Sequence, residues 1–288
     1  MKDVLDRMES IYAFEPDIIC LPETVNISWV NETKTLEEIA EDEITAGPVT
    51  TMLAGIAKKQ DSYITCPIIT KREGRYYNSS ILLNRQGKID GVFHKVRPTD
   101  TEIIPEKYYK GGGVTPGVLR PPVFKTDFGT VGMEICMDAQ WAGSWRSLKE
   151  DGAEIVLFSS QASYKDVLSH YAWLNHYYIV SGTGEDARII DMNGEVIEAD
   201  GEFARWVCAP VNLEKVFLHI WPQTLKFDEI RKKYGRGIRF HINHPENFAT
   251  MESLHPDIKV RDVLQEFGLP TYEEQLKEAT EIQDKYRL

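Results

Sequence analysis

The sequence predicts an α/β sandwich, on three observations. An alternating apolar run over 124–135, a helix-length stretch over 140–150 and an apolar run over 154–158 follow one another in a strand, helix, strand rhythm. The N-terminal half repeats that alternation with amphipathic helices and short apolar strands. Turn signals such as Gln86-Gly87 and Met192-Asn193-Gly194 punctuate the strands at short intervals.

Taken in order, Val4, Leu5, Met8, Ile11 and Tyr12 recur at helical spacing, so the chain opens on an amphipathic helix before a strand over 17–21. Val49, Met52, Leu53 and Ile56 mark a second helix, ahead of strands over 63–69, 76–83 and 89–93. The segment 98–122, rich in Pro and Gly, reads as a long loop of functional character. A hairpin then turns at Asp127-Phe128-Gly129, and the helix that follows its second strand ends near Gly152. Ser163 and Asp166 have the spacing to cap a helix carrying Val167, Tyr171, Leu174 and Tyr178, with strands after it over 179–182, 187–191, 195–197 and 206–211. Beyond Leu213 the chain becomes charge-rich and broken by Pro222, Pro245, Pro256 and Pro270. It reads as an arm ending in a helix that Thr271 and Glu274 cap.

A chain of 288 residues at 42% hydrophobic buries a substantial core, and its formal charge of −12 argues against nucleic acid or an anionic membrane as partner. With no apolar signal core or membrane-length run, a cytoplasmic protein is expected. Cys20, Cys66, Cys136 and Cys208 lie far apart, which suits a reducing compartment better than a disulfide framework. His241, His244 and His255 have weak metal-like spacing that nothing completes, so neither metal nor cofactor is expected.

Three strand ends carry chemistry. The run before Cys136 is strand-like and the stretch after Asp138 helix-like, so the thiol is expected near the first free amides of a helix, whose field favours thiolate. Glu23 and Lys95 end two other strands and offer a base and a cation. Cys20, Cys66 and Cys208 read as small apolar filler. Gly111-Gly112-Gly113 lacks the residues of a phosphate cradle and reads as a flexible loop.

In the contexts Leu21-Pro22-Glu23, His94-Lys95 and Gly132-Met133-Glu134-Ile135-Cys136-Met137-Asp138, these residues resemble the carbon-nitrogen hydrolase family, or nitrilase superfamily. The resemblance runs to about Asn212. It implies an αββα sandwich that assembles as a homodimer or larger homo-oligomer, with a hydrolase domain over 1–216 and a C-terminal extension over 217–288 packing on the domain or a partner subunit. Family members begin with an apolar strand, whereas this chain opens on a helix, so that strand is expected to be missing. By resemblance Cys136 is the nucleophile, Glu23 the proton carrier, and Lys95 with the backbone N–H of Met137 the oxyanion donors. Glu106, in the context Glu106-Lys107-Tyr108-Tyr109, is the expected second glutamate holding the lysine, ahead of Glu102. Trp141, Tyr109 and Ser160 are the candidate substrate contacts.

Carbamoyl amino acid hydrolases of the family often place arginines shortly after the nucleophile; Ala139 and Gln140 stand there, so Arg146 or Arg188 would have to replace them. Nitrilases usually show Trp-Glu after the cysteine, where this chain has Met137-Asp138. A small amide or N-carbamoyl substrate is therefore expected, with nitrile hydrolysis, acyl transfer and an inactive binding relative as the alternatives.

Overall fold

The opening periodicity forms a helix, Lys2–Ile11 (α1), in a computed structural model that describes residues 2–27, 34–200 and 205–287. The first sheet comprises Ile18–Ile19 (β1), Glu41–Asp42 (β2), Tyr63–Arg72 (β3), Arg75–Leu83 (β4) and Ile89–His94 (β5). Leu36–Ile39 (α2) and Pro48–Gln60 (α3) intervene, the latter with proline at its first position, where no N–H is needed. β1 and β2 pair parallel to β3, and β3, β4 and β5 run antiparallel. Among the described residues β1 pairs with β3 alone, at one edge of its sheet.

Strand alternation sorts the first sheet's side chains. Ile64, Cys66, Ile68, Ile81 and Leu83 pack with Met8, Ile11, Leu53 and Ala57 of α1 and α3. The intervening residues, Thr65, Asn78 and Ser80 among them, turn to the opposite face. The backbone N–H of Lys95 donates to Asn78 O at 2.8 Å, continuing the register, so Lys95 follows Asn78 to that face.

After a one-turn helix at Asp100–Ile103 (α4), the second sheet runs through Phe124–Lys125 (β6), Thr130–Ile135 (β7), Ile155–Ser160 (β8), Tyr178–Thr183 (β9), Arg188–Ile190 (β10) and Val196–Ala199 (β11), paired in that order. β7, β8 and β9 are parallel, linked by the helices Ala142–Glu150 (α5) and Lys165–Asn175 (α6). Trp145, Leu148, Leu168 and Ala172 of those helices pack on Val156, Phe158 and Ile179 of the strands. Helices cover the outer faces and the sheets face each other within, an αββα sandwich. At Gly182 a Cβ would lie 2.5 Å from the carbonyl of Cys20, so only glycine permits that approach.

Three local expectations change. The 98–122 loop contains α4, stabilised by a capping box at Thr99 and Glu102. Ser163 does not cap α6; Tyr164 stands at its N-cap in the left-handed region without a side-chain cap. Residues 206–211 form no strand, and Pro210 could not supply a ladder N–H; the Trp206 ring packs edge-on against Phe14 at 5.4 Å.

The chain divides into two compact units, Met1–Ala209 and Pro210–Leu288. In the second, Lys215–His219 (β12), Thr224–Tyr234 (α7), Ile238–Asn243 (β13), Phe248–Ser253 (β14), Val260–Phe267 (α8) and Tyr272–Lys285 (α9) build an antiparallel sheet ordered β12-β14-β13 with helices on it. Leu218, Phe227, Ile230, Ala249, Met251, Val263 and Leu264 form its own core, so this segment is a folded unit. Thr271 caps α9 by accepting from Glu274 N at 3.2 Å, in the expected box. Among the described residues no helix is long and apolar enough to cross a membrane.

Candidate active site

Cys136 directly follows β7 with φ of +46°, a left-handed conformation that a side chain adopts only under constraint. The constraint is Asp138, in the 3-10 turn Cys136–Gln140 that follows: its carboxylate accepts from the Ile135 N–H at 3.1 Å and closes the turn. The same carboxylate accepts from the N–H groups of Val96 at 3.3 Å and Arg97 at 2.6 Å, next to Lys95. Thus the strand end bearing the thiol is tied to the strand end bearing the ammonium.

Lys95 is 2% exposed and donates through Nζ to Glu23 Oε1 at 2.8 Å and Glu102 Oε2 at 2.9 Å. Burial opposes its charge, and the two carboxylates more than offset that, so its pKa is raised. A lysine so held is a permanent cation and hydrogen-bond donor, not a base. Glu102 also accepts from Thr99 N at 2.8 Å and Asn78 Nδ2 at 2.9 Å. Burial pushes its pKa up, but Lys95, the Thr99 amide and Asn78 together bring it below the usual carboxylate value. Asn78 donates as well to Glu23 Oε1 at 2.8 Å, bridging the two acids.

The expectation for Glu106 is corrected by this geometry. Glu106 is exposed, and its carboxylate accepts from Gly111 N at 2.8 Å; Glu102 is the glutamate bonded to Lys95. Position on α4 decides the matter, because the N3 side chain of a capping box turns back toward the start of its helix, where Lys95 lies. The Thr99-Asp100-Thr101-Glu102 spacing was the available signal. Asn78, in the middle of a strand, carries no such signal. The Gly111-Gly112-Gly113 run is not an open loop: a Cβ on Gly113 would lie 2.0 Å from the carbonyl of Ile103, so glycine lets the backbone close on α4.

The expectation of a ready thiolate is corrected too. Burial and the charge of Glu23 raise the Cys136 pKa, with Lys95 and a hydrogen bond from Ser160 opposing them. A short 3-10 turn, with the Asp138 carboxylate on the N–H of Ile135 just before it, replaces the longer helix terminus that would have favoured the anion. Ser160, fully buried at the end of β8, therefore meets the thiol as a sequence candidate. Tyr164, which sequence reasoning missed, lies near enough to the sulfur for its phenol to feel the charge there.

Other candidates divide. Tyr109 is buried with Leu36, Ile69 and Val114 and serves packing, while its exposed neighbour Tyr108 feels the charges of Glu102, Glu23, Lys95 and Cys136. Trp141 is 41% exposed at the start of α5 with the Arg97 guanidinium 5.4 Å from its ring centroid. Met137 occupies the second position of the turn. Arg146 and Arg188 are engaged by Glu150 and Asp186. Cys66 is packing, as expected, its thiol pushed up to about 12 by burial. A carboxylate, an ammonium and a thiol thus share one site, the outfit for covalent acyl transfer.

The sequence profile of the carbon-nitrogen hydrolase family matches residues 6–216. The chain belongs to that family. Among relatives, it is 25% identical over 164 residues to deaminated glutathione amidase of Synechocystis, a match covering 50% of this chain and 60% of that protein. To citrullinase of Francisella tularensis it is 25% identical over 152 residues, covering 53% and 49% respectively. The chain thus spans about half of each relative's length. Among solved structures, Nit3 of Saccharomyces cerevisiae, a nitrilase superfamily member, superposes with a TM-score of 0.57 at 17% identity over 69% of this chain and 78% of that one. The shared fold is that of the carbon-nitrogen hydrolases.

Proposed function

We propose that this carbon-nitrogen hydrolase cleaves a non-peptide C–N bond of a small amide or N-carbamoyl compound through a Cys136 thioester. The observation that carries the reading is Lys95, buried between Glu23 and Glu102 and within the field of Cys136. In the resting enzyme the thiol keeps its proton. Substrate excludes water, Glu23 takes the proton through the oxygen that Lys95 and Asn78 leave free, and sulfur attacks the carbonyl carbon. Lys95 and the Met137 N–H stabilise the oxyanion. Glu23 then passes the proton to the leaving nitrogen, and water activated by the same carboxylate releases the acid. Glu102 and Asn78 hold Lys95 and Glu23 in register. The carbamoyl option draws on the likeness to citrullinase, and the amide option on the likeness to the amidase.

A screen of amides, N-carbamoyl amines and nitriles for ammonia release tests the reading. Turnover should vanish in Cys136→Ala while the fold persists, and hydroxylamine should trap an acyl hydroxamate. Unchanged turnover in Cys136→Ala would refute it. Preference for an amine acceptor over water would move the assignment to acyl transfer. Assembly into a homo-oligomer in the cytoplasm is part of the proposal, checked by solution mass.

A further inference from the structure

Glu134 is a carboxyl that the mechanism above leaves unused. It stands on β7 two residues before Cys136 and is fully buried. Register sets it opposite Phe158, on the side of the sheet where Trp145 of α5, Tyr171 of α6 and Tyr177 form an aromatic cluster. Neither of its oxygens meets a hydrogen-bond donor with good geometry. The polar groups against it are Asp138 and Ser144, and the phenols of Tyr171 and Tyr177 lie within its field.

Asp138 is equally buried but differently supplied. Three backbone N–H groups point at its carboxylate, from Ile135, Val96 and Arg97, and its backbone carbonyl accepts from Trp145 Nε1 at 3.0 Å. A buried negative charge persists where donors surround it and not where none do. Two neighbouring carboxyls, one accepting three backbone N–H groups and the other meeting only the Ser144 hydroxyl, therefore divide their protonation unequally.

We propose that Glu134 and Asp138 hold a single proton, carried by Glu134 and directed at the Asp138 carboxylate, and that the pair is a positioning device fixing Cys136 against Lys95. The charge count favours this. Glu23, Glu102 and Asp138 already face one lysine, and passing the Cys136 proton to Glu23 moves one of those negative charges onto sulfur without reducing their number; an ionised Glu134 would add a fourth. Burial first, and then the Asp138 charge, push Glu134 well above the usual carboxylate value. Burial also raises Asp138, to about 6, against the pull of its amides and Lys95. A protonated Glu134 thus gives Asp138 a fourth donor, and Asp138 in turn holds the left-handed turn at Cys136 to the segment after β5.

The inference rests on Cys136 as nucleophile, and the test separates the two. Full-length wild type, Glu134→Gln, Glu134→Met and Asp138→Asn are alkylated with iodoacetamide across pH, the rate at Cys136 is read by mass spectrometry, and melting temperature is measured alongside. Glu134→Gln, neutral and still a donor, should keep the wild-type pH–rate profile. Its melting temperature should gain on wild type as pH rises, because a raised carboxyl pKa contributes stability that is lost with increasing pH. Glu134→Met and Asp138→Asn should displace the profile by about one pH unit, about tenfold in rate below the midpoint. A wild-type profile in Glu134→Met with only a lower melting temperature would make Glu134 mere packing and overturn the proposal. So would Glu134→Gln behaving like Glu134→Met. Inert Cys136 in wild type at every pH would sink the nucleophile reading and this inference with it.

Discussion

Replacing Glu102 with glutamine tests the charge balance around Lys95. The Nζ atom stands 2.9 Å from Glu102 and 2.8 Å from Glu23. At an effective dielectric of about 20, a unit-charge contact at that separation amounts to roughly 6 kcal/mol before desolvation. Much of that offsets the removal of water from three buried charges, and deleting one partner of a buried pair typically costs about 3–5 kcal/mol. Glutamine retains an acceptor for Lys95 and Thr99, so about 2–3 kcal/mol is expected here, or roughly 30- to 150-fold in kcat/KM. Glu106→Gln, by contrast, touches one exposed hydrogen bond to Gly111, about 1 kcal/mol of loop stability, and should leave kcat/KM within about threefold of wild type. The assay is ammonia release on the substrate found by the screen, with urea denaturation to verify folding. If Glu106→Gln loses activity while Glu102→Gln keeps it, the assignment made from the lysine's contacts is wrong.

Further outcomes follow from the same site. Because Glu102 is held below its ordinary value of 4.5, its ion pair contributes stability above that pH and loses it as pH falls through the depressed folded value. Acid titration of wild type against Glu102→Gln should show the stability difference shrinking on acidification below about 4.5; a difference constant with pH would contradict the pairing. The raised Cys136 pKa predicts slow iodoacetamide alkylation at neutral pH, accelerating as pH rises, and rapid reaction at pH 6 would show that Lys95 outweighs burial. Thr99→Val removes the hydroxyl that caps α4, which should cost about 1 kcal/mol by denaturation and lower kcat with it. Full activity in that variant would separate the cap from the site.

Sequence reasoning reached what lies at strand ends. Glu23, Lys95 and Cys136 each follow an apolar run whose period is visible in one dimension, and the structure brings all three together. Glu102 was passed over because a four-residue helix inside a Pro- and Gly-rich stretch leaves no periodic trace, although its capping spacing was present. Asn78 escaped because an amide within a strand reads as ordinary solvent-facing alternation. The thiol's state depends on burial and on charges from distant segments, neither of which a local motif encodes. In the second unit, prolines and charges broke the apolar pattern, and the hairpin of β13 and β14 emerges only when their facing residues are paired. The capping box at Thr271 was legible because it is wholly local.

A helix of one turn has no stability of its own. α4 holds together because Glu102 Oε2 receives both the Thr99 amide and the ammonium of Lys95. Fraying of those few residues would strand a buried cation with half its counter-charge, so inactivation by gentle heating should run ahead of global melting. The protein's thermal limit would then be set by its smallest helix.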